Sequence, residues 1–139
     1  MNYTTDDIFF FDSNILIYLV DIDLEKKHKT SSLLLDEQSY ISTQVINENV
    51  NICLKKLKLN KDETFRHGKF LIDKFNLVLI DKDIIYKAFD IMNKYLYSYW
   101  DSLIISAAIK CNSSILFSED MQNNQTIEGK LRIINPFRT

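Results

Sequence analysis

Four apolar residues in a row, Ile8, Phe9, Phe10 and Phe11, run without a polar break into Asp12, and a second apolar segment follows almost at once in Ile15, Leu16, Tyr18 and Leu19. A strand wetted on one side alternates apolar and polar residues. An unbroken run this short therefore describes a strand covered on both faces, the condition of a parallel sheet flanked by helices. Ser13 and Asn14 are turn and cap residues and the spacing after them is helical, which puts Asp12 in a strand-to-helix joint. In open α/β sheets ligands bind at such joints, beyond the carboxyl ends of the strands.

The rest of the chain alternates in the same manner. The helix after Asp12 should end near Asp21 to Asp23, and residues 23–38 continue as a second amphipathic helix with Leu24, His28 and Ser31 or Ser32 leading into Leu35. Tyr40 to Ser42 reads as a brief strand, with Thr43 capping a helix whose face is Val45, Asn49, Cys53 and Leu57, thickened by Ile46, Val50 and Leu54. A third helix, Asp62 to Phe75, is expected to turn Phe65, Phe70 or Lys69, and Ile72 inward. Leu77 to Ile80 follows as a strand, and Asp81 or Asp83 caps a helix with Ile84, Ala88, Ile91 and Tyr95 in phase. The next helix, ending at Asn112, buries Trp100, Leu103 or Ile104, Ala107 and Cys111. Ser114 to Phe117 is a strand, Ser118 to Gln125 a polar loop, and Leu131 to Ile134 a last strand stopped by Asn135 and Pro136. The expected fold is α/β in one domain spanning 1–139, with a central parallel sheet of four to five short strands flanked by helices.

Composition narrows the class of protein. A chain of 139 residues with 46% hydrophobic and 26% charged content, two glycines and one proline is globular, with little room for repeats or disordered tails. A net charge of -2 does not describe a protein that coats DNA, although Lys55, Lys56, Lys58, Lys61, Arg66, Lys69 and Lys74 form a local basic stretch. The first residues lack the basic start and apolar core of a signal peptide. No apolar run approaches the ~20 residues of a membrane span, so a cytoplasmic location without membrane contact is expected. Cys53 and Cys111 have neither a CxxC pattern nor zinc-ligand spacing and read as reduced core thiols. His28 and His67 fall in lysine-rich helical stretches and read as surface residues apart from any acidic cluster.

Chain direction places the acids. A helix leaving a parallel strand starts at the sheet's carboxyl edge, and so must a helix that feeds the next strand. By that rule Asp12, Glu48, Asp101 and Asp120 all fall at one edge; chain direction does not decide whether their neighbour Glu119 joins them or points elsewhere. Singly, each has an ordinary explanation as a helix cap, a dipole partner, a solvated helical charge or a turn former. Together, carboxylates at one edge repel unless a cation neutralises them, and an all-oxygen site suits Mg²⁺ or Mn²⁺.

The segments FFFDSNILIYL, STQVINENV, WDSLIISAA and LFSEDMQ, with the closing INPF, resemble the PIN domains over nearly the whole chain, and among them the bacterial VapC-type toxin ribonucleases. The resemblance implies a Mg²⁺- or Mn²⁺-dependent endoribonuclease of a type II toxin-antitoxin system. It implies Asp12 and Asp101 as principal metal ligands, Glu48 as a ligand directly or through water, and Asp120 as a ligand to a second ion or a residue behind the first. Asn14 and Ser118 match positions that brace the first and last acids. Many members carry threonine where Ser118 stands, a change that keeps the hydroxyl. RNA as substrate, a cognate antitoxin and a homodimer are implied partners. Lys55, Lys56 and Lys58 are candidates for RNA phosphates, against a solvated helix face as the simpler role, and Val50, Leu54, Leu57 and Leu59 are candidates for the antitoxin groove or, equally, for the core. One of the rings Tyr95, Tyr97, Tyr99 and Trp100 beside Asp101 is a candidate to stack a base, against core packing as the simpler role for Trp100.

Two other readings compete. A PIN-like module that binds RNA or protein without cutting would keep the fold and lose the chemistry. A haloacid-dehalogenase-like phosphatase also begins with a strand ending in aspartate, but needs a second acid two residues on, where this chain has Asn14.

Overall fold

The computed structural model describes residues 3–34 and 38–138; Leu35, expected at the end of the second helix, lies outside them. β1 (Phe9–Phe11) leads through α1 (Ser13–Leu16) and a 3₁₀ turn (Ile17–Val20) to α2 (Leu24–Leu33) and β2 (Ser39–Ser42). α3 (Thr43–Lys55) and α4 (Lys61–Lys74) connect β2 to β3 (Asn76–Val78), and α5 (Lys82–Tyr95) and α6 (Tyr99–Lys110) connect β3 to β4 (Ile115–Phe117). β5 (Thr126–Ile127) and β6 (Leu131–Ile134) close the chain.

The strands form one six-stranded sheet in the order β3-β2-β1-β4-β6-β5. It is parallel except for the β5 and β6 pair. β1 is central and fully buried, as its unbroken phenylalanines require. Phe9 stacks on Phe117 of β4 with centroids 5.6 Å apart, and Phe11 packs against both Phe117 and Phe75. From β1 the chain builds outward to β2 and β3 on one side and, after β4, to β6 and β5 on the other. The strand order therefore reverses at the β1 and β4 pair, where the two outgoing loops diverge and leave a crevice.

Several elements depart from expectation for identifiable reasons. β5 has only two residues and pairs antiparallel, too short and too polar to register as a strand. Ser42, not Thr43, occupies the N-cap of α3, and the Thr43 hydroxyl instead accepts from the Ile80 backbone N–H at 3.3 Å. Asp81 caps α5. α4 does not turn Phe65, Phe70 and Ile72 inward: each is about half exposed, and the buried face is Thr64, His67, Gly68 and Leu71. Small residues let α3 approach there, with Val50 facing Gly68, and polar partners replace an apolar seam. His67 is thus a buried residue, not a surface one. In α2, Leu24 and His28 are exposed and Thr30 is buried. Leu57 lies past the end of α3. Trp100 is 62% exposed, because α6 is buried from Ser102 to Ala108 while its first turn stands clear of the core. Cys53 is a buried free thiol and Cys111 a partly buried one. No described helix is long and apolar enough to cross a membrane.

Candidate active site

Asp12 begins one residue past β1, where its backbone N–H still reaches the Phe117 carbonyl of β4 at 2.9 Å. Its side chain caps α1, Oδ1 accepting from the Ser13 N–H at 2.7 Å. The Oδ2 atom accepts from the Ser118 hydroxyl at 2.9 Å and from Asn14 Nδ2 at 3.4 Å. Ser118 stands opposite because Phe11 pairs with Phe117 in register, so the next residue of each strand faces its counterpart across the crevice. Asn14 braces both loops, its Oδ1 accepting from the Glu119 N–H at 3.2 Å. The cap and the metal-ligand readings of Asp12 are therefore not exclusive: one oxygen caps, and the other is held by neighbours from β4 and α1.

Asp12, Glu48, Asp101 and Asp120 line one cleft of about 320 Å³, together with Ser13, Asn14, Asn51 and Ile52. They arrive from the β1 end, the second turn of α3, the first turn of α6 and the loop after β4. Asp101 reaches the carboxyl edge because α6 runs back toward the start of β4, and Ser98 caps it by accepting from the Asp101 N–H at 3.1 Å. Asp12 is buried, Glu48 and Asp101 are half-buried and Asp120 is exposed. Glu119 points away, into Lys26 Nζ and the Tyr18 hydroxyl, both at 2.6 Å.

The electrostatics reflect a concentration of like charge. Burial, and behind it the charges of Asp101 and Glu48, push Asp12 up to about 7, while hydrogen bonds from Ser118 and Ser13 oppose the rise. Burial, then Asp120 and Glu48, also raise Asp101. Among the described residues no three acidic, cysteine or histidine side chains are drawn in tightly enough to close on one ion. The donor set is nevertheless all oxygen, the chemistry that suits a small hard cation, and a cation in the cleft would offset the repulsion.

Spacing did not reveal a second polar layer beneath the acids. The Ser13 hydroxyl donates to Glu48 Oε1, and Gln44 Nε2 donates to Glu48 Oε2 at 3.4 Å and to the Trp100 carbonyl at 3.1 Å. Asn49, fully buried, donates from Nδ2 to the Ser13 carbonyl at 3.3 Å and accepts at Oδ1 from His67 Nε2, 2.9 Å away. Burial holds His67 down at about 4, so the ring is neutral and free to donate. The signal was present in the sequence, an asparagine in the middle of the apolar face Val45 and Cys53, where a buried amide demands partners. The basic residues Lys55, Lys56, Lys58, Lys61, Arg66, Lys69 and Lys74 are all exposed, and Lys55 and Lys56 follow the cleft-lining Asn51 and Ile52 by about one turn of α3.

Solved structures share this fold. A chain of a toxin-antitoxin complex from Klebsiella pneumoniae superposes with a TM-score of 0.70 at 22% identity, covering 94% of this chain and 98% of that one. VapC20 of Mycobacterium tuberculosis, a sarcin-ricin loop cleaving toxin, gives 0.67 at 13% identity over 81% of this chain and 91% of its own. VapBC2 of Rickettsia felis, bound to a promoter DNA fragment, gives 0.62 at 16% identity over 81% and 88%. At these identities the likeness is one of fold. No curated protein sequence matches the chain. The PIN domain profile matches residues 9–125, from the first residue of β1 to the loop past Asp120. The stretch spans all four acids and most of the sheet that gathers them, and the chain belongs to the PIN domain family.

Proposed function

We propose that this chain is a metal-dependent endoribonuclease, the toxin of a type II toxin-antitoxin pair, and that it hydrolyses RNA phosphodiester bonds at the cleft of Asp12, Glu48, Asp101 and Asp120. The observation that carries the reading is the convergence of these carboxylates, from four separate elements, on one cleft of a PIN fold. Asp12 and Asp101 are the principal ligands of Mg²⁺ or Mn²⁺, Glu48 binds directly or through water, and Asp120 sits at the open side. When bound, such a cation lowers the pKa of a coordinated water and stabilises charge on a phosphoryl oxygen.

The chain's own groups set up that chemistry. Ser118 and Asn14 fix the Asp12 carboxylate, and Ser13 and Gln44 fix Glu48. Asp12 and Glu48 are therefore held in the cleft before substrate arrives, and the acids draw together around the cation. The exposed lysines Lys55, Lys56 and Lys58 attract the RNA backbone that an acidic cleft alone would repel.

The solved toxin-antitoxin complexes support a cognate antitoxin as partner. A groove between the 3₁₀ turn and α4, lined by Leu19, Val20, Leu59 and Phe70 and edged by Lys27 and Arg66, is the place for its apolar segment. Of the residues expected there, Leu59 lines this groove, whereas Val50 packs toward Gly68. A homodimer would cover the exposed rings Tyr86 and Phe89 of α5. The test is cleavage of RNA by the purified chain with Mg²⁺, with EDTA and with the co-expressed antitoxin. Activity in Mg²⁺ alone is expected, and cleavage indifferent to EDTA would overturn the proposal.

A further inference from the structure

We propose that a second cleft, walled by α3 and α6 beside the acidic one, binds an unpaired nucleobase of the RNA, with Trp100 as the ring on which it stacks. The inference rests on reading the acidic cleft as the ribonuclease centre and adds to it a determinant of which RNA is cut. The second cleft has a volume of about 520 Å³, within the usual size of a small-ligand site. Glu48 and Asn51 line both clefts, so the two adjoin. A nucleotide whose phosphate lies at the acids has its base within reach of this pocket.

The lining is that of a base pocket. Trp100 immediately precedes Asp101, lines the cleft and is 62% exposed, so its ring is available to a stacking partner. Its carbonyl is held by Gln44 Nε2 at 3.1 Å, and Tyr99 props the ring edge-on at 5.3 Å and 67°. Ile80 and Leu103 supply apolar walls, and Asn47 and Asn51 supply exposed amides. Gln44, only 8% exposed, lines the same cleft, and its Oε1 has no hydrogen-bond partner among the described residues. Because that oxygen is itself shut off from the cleft surface, the base edge is left to the exposed amides of Asn47 and Asn51. No lysine or arginine is among the described residues lining the pocket, which suits an uncharged base and not a phosphate. Aromatic stacking combined with amide contacts to a base edge is how proteins read single-stranded RNA.

The experiment uses the fact that Trp100 is the chain's single tryptophan, so its emission reports the pocket directly. Full-length Asp12→Asn protein, which should bind without cutting, is titrated in Mg²⁺ with a short single-stranded oligoribonucleotide and with an abasic ribose-phosphate strand of equal length. Saturable quenching by the first and not the second is expected. In the otherwise unaltered protein, Trp100→Ala should lower kcat/KM for RNA about ten- to hundredfold, and Trp100→Tyr should restore most of it, with thermal melting unchanged. Equal quenching by both strands would overturn the inference. So would full cleavage by Trp100→Ala, or emission that follows protein concentration through a monomer-dimer transition and ignores RNA, since a second copy would then cover the ring. Cleavage without base-dependent quenching removes the base pocket and leaves the nuclease reading standing; base-dependent quenching without cleavage does the reverse.

Discussion

The Ser118 hydroxyl donates to Asp12 Oδ2 at 2.9 Å across 106 positions of sequence, joining the ends of the two strands between which the sheet order reverses. This bond makes the carboxyl edge a site and not merely a boundary: it fixes the most buried of the acids from the opposite strand. Replacing Ser118 with alanine should raise the Mg²⁺ concentration needed for half-maximal RNA cleavage by about ten- to hundredfold, the usual cost of losing a group that orients a metal ligand. Ser118→Thr, which keeps the hydroxyl, should lie close to the unaltered protein in the same titration.

Asp12 is a stability liability when no cation is bound. Burial and neighbouring charge raise its carboxyl from 3.8 to about 7, so ionisation is harder in the folded chain than in the unfolded one. A group shifted in this direction costs nothing below the unfolded pKa and destabilises increasingly as pH rises toward the folded value. Asp12→Asn should therefore raise Tm in EDTA at pH 7.5 by about 3 °C or more, with the gain vanishing near pH 4. Differential scanning calorimetry at the two pH values measures both.

His67 works in the opposite sense. Its ring is held at about 4 by burial against an ordinary 6.5, so the unfolded chain takes up a proton that the folded chain refuses. Its contribution is fully present above pH 6.5 and is lost as pH falls toward 4, by an amount on the order of 3 kcal/mol. Because Asp12 has the contrary slope over the same window, the informative quantity is a difference. Urea unfolding of the unaltered protein and of His67→Gln should show the gap between them narrowing steadily from pH 7 to pH 4.

Leu96 ends α5 in the left-handed region with φ 63° and is 86% exposed, so its side chain has little burial to lose. Glycine takes that conformation without the clash of a Cβ. Leu96→Gly should stabilise the fold by about 1 kcal/mol, read as a higher urea midpoint at unchanged slope.

Strand and helix order were legible because chain direction and apolar runs are strong signals. The FFF run allowed one interpretation, and the direction of α6 carried Asp101 to the correct edge before any distance was known. Faces of helices were less legible. α6 is buried on every side from Ser102 to Ala108, so periodicity could not tell that Trp100 stands outside, and in α4 the small and polar Thr64, His67 and Gly68 face the core in place of Phe65 and Phe70. In both cases tertiary contact chose the face, α4 meeting α3 through a hydrogen bond between His67 and Asn49 that no hydrophobic pattern encodes. The site divided in the same way: the acids followed from topology, whereas Ser13 and Gln44, which hold Glu48, are common residues whose role exists only in three dimensions.

The central claim is that Asp12 and Asp101 act together as the seat of a divalent cation that cuts RNA. The most direct test is single-turnover cleavage of a defined single-stranded RNA by the purified chain, by Asp12→Asn and by Asp101→Asn, each in Mg²⁺ and in EDTA. The unaltered chain should cut in Mg²⁺ and stop in EDTA, and each substitution should lower the Mg²⁺ rate by at least about a hundredfold, in protein whose circular dichroism shows it folded. Undiminished cutting by either folded variant, or by the unaltered chain in EDTA, would contradict the account.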